Sequence, residues 1–149
     1  MIYLAADHRG FELKEKIKGW LKEWGEEYED KGNVSYDKDD DYPDYASKVA
    51  EAVSEGKGRG IVICGSGVGV SFVTDKYKGV RSMIGFSQEQ VEHGVEYDQV
   101  NVLSLAANHF SDEQMKEMVK VFLKTKFGQE ERFLRRSDKI KQIEVKNFK

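Results

Sequence analysis

Three short stretches of this chain carry residue types that do chemistry in combination. Asp7-His8-Arg9-Gly10 follows the first apolar run and opens an amphipathic stretch, so titratable groups gather at a helix start, where the dipole favours anions. The plainer reading is an aspartate N-cap with solvated neighbours. Cys64-Gly65-Ser66-Gly67-Val68-Gly69 follows a second apolar run. Its alternate glycines let backbone N–H groups approach a ligand closely and form an oxyanion or phosphate cradle. A thiol beside such donors is a candidate base or nucleophile, whereas an inert buried thiol is the alternative. Finally, Arg132-Phe133-Leu134-Arg135-Arg136 puts Arg132 and Arg136 on one helical face. Two guanidinium forks suit a phosphate monoester, and a solvated basic face would look the same.

These groups need a frame that brings them to one edge. Strand-length apolar runs alternate with helix-length amphipathic stretches, the pattern of βα units wound around a parallel sheet. Strands are predicted at 1–6, 26–30, 61–64, 80–86 and 100–106, with helices at 11–24, 43–54, after the glycine turn, at 87–96, 111–127 and 130–144. Pro43, the only proline, suits a first helical turn, and Ser111 with Gln114 has the spacing of a capping box. In such a sheet ligands collect beyond the carboxyl ends of the strands, where Asp7 and Cys64 fall. The expected fold is a three-layer αβα, Rossmann-like domain with a five-stranded parallel sheet, spanning residues 1–149. The last helix, about 130–145, has a thin apolar stripe (Phe133, Ile140, Ile143) that fits packing on a second subunit.

Composition narrows the partners. Charged residues make up 34% of the 149, both signs are interleaved and the net charge is −3, which disfavours nucleic acid and anionic membrane. No run approaches the roughly 20 apolar residues of a membrane span, and the start MIYLAADHRG lacks a secretory pattern, so a cytoplasmic location is expected. With one cysteine and three histidines there is no internal disulfide and no metal-ligand spacing.

The order and spacing of ADHRGFELK (6–14), DYPDYA (41–46), ICGSGVGVS (63–71), KGVR (78–81), NVLSL (101–105) and RFLRR (132–136) resemble the ribose-5-phosphate isomerase B family, which includes the galactose-6-phosphate isomerase subunits. The resemblance spans nearly the whole chain. It implies a homodimer or a tetramer of paired dimers, active sites at the subunit interface, no metal or organic cofactor, and interconversion of ribose 5-phosphate with ribulose 5-phosphate. Cys64 would be the base that moves a proton between C1 and C2, with the N–H groups of Gly65, Gly67, Val68 and Gly69 stabilising a cis-enediolate. Asp7 would serve the sugar hydroxyls, and Ser66 stands where the family carries Thr or Ser. His8, Arg132 and Arg136 would hold the phosphate, and Tyr42 would pack beside the sugar. Tyr97-Asp98 replaces a His-Asn pair whose histidine helps open the furanose ring; a tyrosine hydroxyl shuttles protons less readily than imidazole at neutral pH. His93 lies one turn earlier, and Asn108, with His109 beside it, stands where the family carries arginine. Two further readings fit these residues: a hexose 6-phosphate isomerase of allose or galactose type, and a non-catalytic phosphate-binding or supporting paralogue.

Overall fold

The computed structural model describes residues 1–148. Five strands alternate with helices: β1 (Ile2–Ala6), α1 (Phe11–Glu23), β2 (Tyr28–Asp30), α2 (Pro43–Ser54), β3 (Arg59–Cys64), α3 (Val68–Thr74), β4 (Ser82–Ile84), α4 (Gln88–Asp98), β5 (Val102–Ala106), α5 (Asp112–Lys124) and α6 (Glu131–Asn147). All pairings are parallel, in the order β2-β1-β3-β5-β4. The chain steps outward from β1 to β2 and then returns to the other side of β1 for β3. Crevices form at such reversals, outside the carboxyl ends of the two strands.

Alternation along the central strands makes the three layers. Leu4, Ile61, Ile63, Leu103 and Leu105 face one way, into a core shared with Ile17 and Leu21 of α1, Val91 of α4 and Phe122 of α5. Tyr3, Ala5, Val62 and Val102 face the other way, toward Ala46, Val49 and Val53 of α2 and Val70 of α3. Pro43 takes the first position of α2, and Ser111 and Gln114 close the capping box of α5. β4 is shorter than its apolar run predicts because it sits at the sheet edge, where all three of its residues keep partial contact with solvent.

α6 behaves differently in its two halves. Phe133 is 2% exposed and its ring lies 4.8 Å from that of Tyr97 on α4, so the first turns pack on the chain's own α4. Ile140, Ile143 and Val145 further along remain exposed.

Among the described residues one lysine is fully buried. Lys14 of α1 is 0% exposed, its Nζ donating to Asp30 at 2.6 and 2.7 Å and to the Asn33 carbonyl at 2.5 Å. This pair fastens β2 and the following loop to α1, since removing one partner would strand the other charge in the interior. Desolvation pushes the Asp30 carboxyl up, but the hydrogen bonds from Lys14, Gly32 N–H and Lys18 outweigh it and hold it below the ordinary aspartate value. A depressed carboxyl stabilises the fold above its unfolded value of roughly 3.9, and that contribution disappears as pH falls through the folded value. Asp30→Asn should therefore cost about 3–5 kcal/mol at neutral pH. Urea unfolding at pH 7 and at pH 3 measures it: the gap between variant and wild type should shrink in acid, and an equal gap at both would refute the pairing.

Candidate active site

β1 and β3 run side by side in register, Ala6 opposite Ile63, so the residues that follow them emerge together. Between them lies a cleft of about 430 Å³ lined by Asp7, His8, Tyr42, Cys64, Ser66 and Asn108, among others. The pattern of apolar strand followed by polar or glycine-rich turn thus delivers both predicted clusters to one place.

Cys64, the last residue of β3, is 5% exposed. The Gly67 N–H donates to its Sγ at 3.1 Å, a contact that stabilises negative charge on sulfur. That amide can face back because Gly67 adopts φ +74°, a left-handed conformation strained for any residue with a Cβ. Val68 N–H is taken by Ser66 Oγ at 3.2 Å. The N–H groups of Gly65, Ser66 and Gly69 make no hydrogen bond among the described residues. Gly69 has a second role that spacing alone did not reveal. A Cβ there would lie 2.6 Å from Cζ of Tyr42, so the missing side chain makes room for the Tyr42 ring on the floor of the cleft.

Asp7 is 5% exposed and accepts from the N–H groups of Arg9 (3.0 Å) and Gly10 (3.1 Å). The N-cap of α1 is Gly10 itself, so Asp7 builds the turn before the helix instead of capping it. Burial raises the Asp7 carboxyl above the ordinary aspartate value, against opposing effects from Gly10 N–H, the charge of His8 and Arg9 N–H. A carboxyl so placed can take up and return a proton. His8 is held by Asp40, whose Oδ1 accepts from the His8 backbone N–H at 2.9 Å and lies 2.8 Å from Nδ1. With a carboxylate as partner, Nδ1 donates, and Nε2 is the ring nitrogen left to face a ligand. Asp40 lines the cleft and holds His8, a placement the sequence did not point to. It lies in the acidic run 37–41, where the sole hint was its closeness to the DYPDYA motif.

The remaining predicted residues lie elsewhere. α4 leads from the carboxyl edge of the sheet back toward the amino edge, a run of about 16 Å for its 11 residues. Tyr97 and Asp98 end it. Tyr97 is stacked between His93 (5.0 Å) and Phe133 (4.8 Å), and the Asp98 carbonyl accepts from Arg81, the residue before β4. Arg81 also reaches Ser137, next to Arg136, which sets the basic face of α6 at the same edge. Arg132 pairs with Glu130 at 3.1 Å, while Arg136 makes no ion pair among the described residues. Within one chain, then, Asp7, His8, Tyr42, the Gly65–Gly69 turn and Cys64 come together, joined by Asn108 and His109, and Tyr97, Asp98, Arg132 and Arg136 do not. Among the described residues no group of three or more His, Cys, Asp or Glu side chains could hold a metal ion.

The chain is similar to known proteins over most of its length. A family model described as Ribose/Galactose Isomerase matches residues 2–140. A probable ribose-5-phosphate isomerase B of Mycoplasma genitalium is 38% identical, covering 96% of this chain and 95% of the relative. The ribose-5-phosphate isomerase B of Escherichia coli is 37% identical, over 82% of each chain. The crystal structure of the Mycoplasma genitalium isomerase B with bound ribulose 5-phosphate superposes with a TM-score of 0.93 at 37% identity, covering 98% of this chain and 97% of that one.

The Gly67 contact has a measurable consequence. Gly67→Ala forces a Cβ into the left-handed region at a cost of about 1–2 kcal/mol and disturbs the amide facing Sγ. Urea unfolding should show that loss, and alkylation of Cys64 by iodoacetamide in the folded protein should slow. An unchanged alkylation rate would mean that the sulfur does not depend on this amide.

Proposed function

The chain belongs to the ribose/galactose isomerase family, and from that premise we propose that it interconverts ribose 5-phosphate and ribulose 5-phosphate with Cys64 as the base. The observation that carries this reading is the sulfur of Cys64 at the sheet's carboxyl edge, 3.1 Å from a backbone donor and sharing its cleft with Asp7 and His8. In the open-chain aldose the Cys64 thiolate takes the proton from C2, the electron pair moves through C1, and the carbonyl oxygen O1 becomes the anion of a cis-enediolate. The free N–H groups of Gly65, Ser66 and Gly69 face that charge. Asp7, its carboxyl raised by burial, exchanges protons with the hydroxyl oxygens, and the thiol returns its proton to C1 to give the ketose. Neither metal nor redox cofactor enters these steps.

His8, with both ring nitrogens protonated, donates its Nε2–H to the phosphate, and Tyr42 flanks the carbon chain. Tyr97, Asp98, Arg132 and Arg136 sit at the opposite edge of their own sheet, so they reach a bound sugar from a second copy, and the reading includes a homodimer with two sites at its interface. The exposed Ile140, Ile143 and Val145 of α6 support contact with that copy. No described helix is long and apolar enough to cross a membrane, which is compatible with the cytoplasm as the site of action.

Purified protein should interconvert the two pentose phosphates without added metal, and Cys64→Ala should lose at least about 100-fold in rate, as removal of a positioned base does. Full activity in that variant would refute the assignment. Arg136→Ala should raise the Michaelis constant for the phosphorylated sugar and leave turnover of the unphosphorylated one nearly unchanged; equal losses on both would contradict the phosphate role. A panel of pentose and hexose phosphates decides whether Tyr97 shifts the preferred sugar.

A further inference from the structure

We propose that Lys14 and Asn33 are positioning residues that fix the orientation and tautomer of His8 through Asp40. The proposal rests on the isomerase reading only for the part His8 plays with substrate.

A fully buried lysine is costly, and a leucine in that helix position would satisfy the core, so the geometry at its tip is informative. Lys14 Nζ ends against the Asp30 carboxylate and the Asn33 carbonyl. Asn33 is fixed on every side: its N–H donates to the Ala6 carbonyl at 3.0 Å, its Oδ1 accepts from Ser35 N–H at 3.1 Å, and its Nδ2 donates to Asp40 Oδ2 at 3.1 Å. The other oxygen of Asp40 takes both donors of His8, and the Asp40 side chain is 1% exposed. A chain of hydrogen bonds therefore runs from the interior of α1 to the one imidazole held in the cleft by a carboxylate. A role confined to stapling β2 onto α1 accounts for Lys14 with Asp30. It does not account for the branch through the Asn33 side chain, whose amide nitrogen donates to Asp40. With Asp40 locked, the ring cannot swing and Nδ1 keeps its proton, so in the doubly protonated ring Nε2–H donates to a phosphate oxygen in fixed geometry.

Long-range proton–nitrogen spectra of the full-length, nitrogen-15-labelled protein test this, with His8 assigned from the spectrum of His8→Gln. Neutral His8 should carry its proton on Nδ1 in wild type, and Lys14→Met and Asn33→Ala should shift it toward the Nε2-protonated form. The same variants should raise the Michaelis constant for ribose 5-phosphate by about 10-fold while turnover stays within about twofold, since binding geometry and not the Cys64 base is disturbed. Asn33→Ala leaves the Lys14–Asp30 pair intact, so it decides the matter if Lys14→Met does not fold. An Nδ1 proton that survives the substitutions, or an unchanged Michaelis constant, overturns the proposal. The spectra need no substrate, so a wild-type protein inactive on sugar phosphates would refute the isomerase reading and leave the positioning test standing.

Discussion

The pairing of β1 with β3 is the constraint on which the rest depends. β1 is apolar throughout and β3 from Gly60 onward, and both are buried on both faces there, which is what a central parallel strand requires. Their register brings the turn after Ala6 beside the turn after Ile63, and the topological reversal leaves a crevice there that no helix fills. Sulfur, carboxyl and imidazole meet because two hydrophobic strands do. Shifting either strand by one residue would turn its apolar side chains to the wrong faces, so the core that stabilises the sheet also protects the site's geometry.

The polar groups around that crevice divide the work between backbone and side chain. Main-chain N–H groups of the glycine turn supply donors that need no rotamer ordering and no neutralising counter-charge, so they suit a charge that exists only in passing. Side chains handle what must be selective. Tyr42 is held in place by the absence of a Cβ at Gly69, and His8 by a carboxylate sealed from water. The basic residues of α6 lie away from this cleft, so a single copy holds these groups without Arg132 and Arg136 beside them. In the proposed dimer that separation means catalysis depends on assembly, because base and guanidinium groups come from different copies.

Much of the fold was legible in the sequence. Pro43 and the Ser111–Gln114 pair mark helix starts through local chemistry, and the apolar run at Ile61–Ile63 followed by glycines marks a strand meeting a turn. Asp7 and Cys64 were legible as a pair for the same reason, since a parallel sheet sends successive strand ends to one edge. The network behind His8 was not. Lys14 sits in a helix rich in lysine and glutamate and reads as solvent-facing, and Asp40 is one acid among several in an exposed loop. What distinguishes them is a set of contacts across 16 to 32 residues of chain, which no local period encodes. The placing of Arg132 and Arg136 was hidden for a related reason: helical spacing shows which face they share, not which edge of the sheet the helix occupies.

In the proposed reaction a proton, and not a hydride, leaves the sugar carbon and passes through the Cys64 sulfur. Incubating ribose 5-phosphate with the protein in heavy water and following the C2 and C1 positions by mass and proton spectra measures this directly. Deuterium should enter the sugar during isomerisation in wild type, and none above background should enter in Cys64→Ser. Isomerised sugar free of deuterium even after many turnovers, or undiminished exchange in the serine variant, would contradict it.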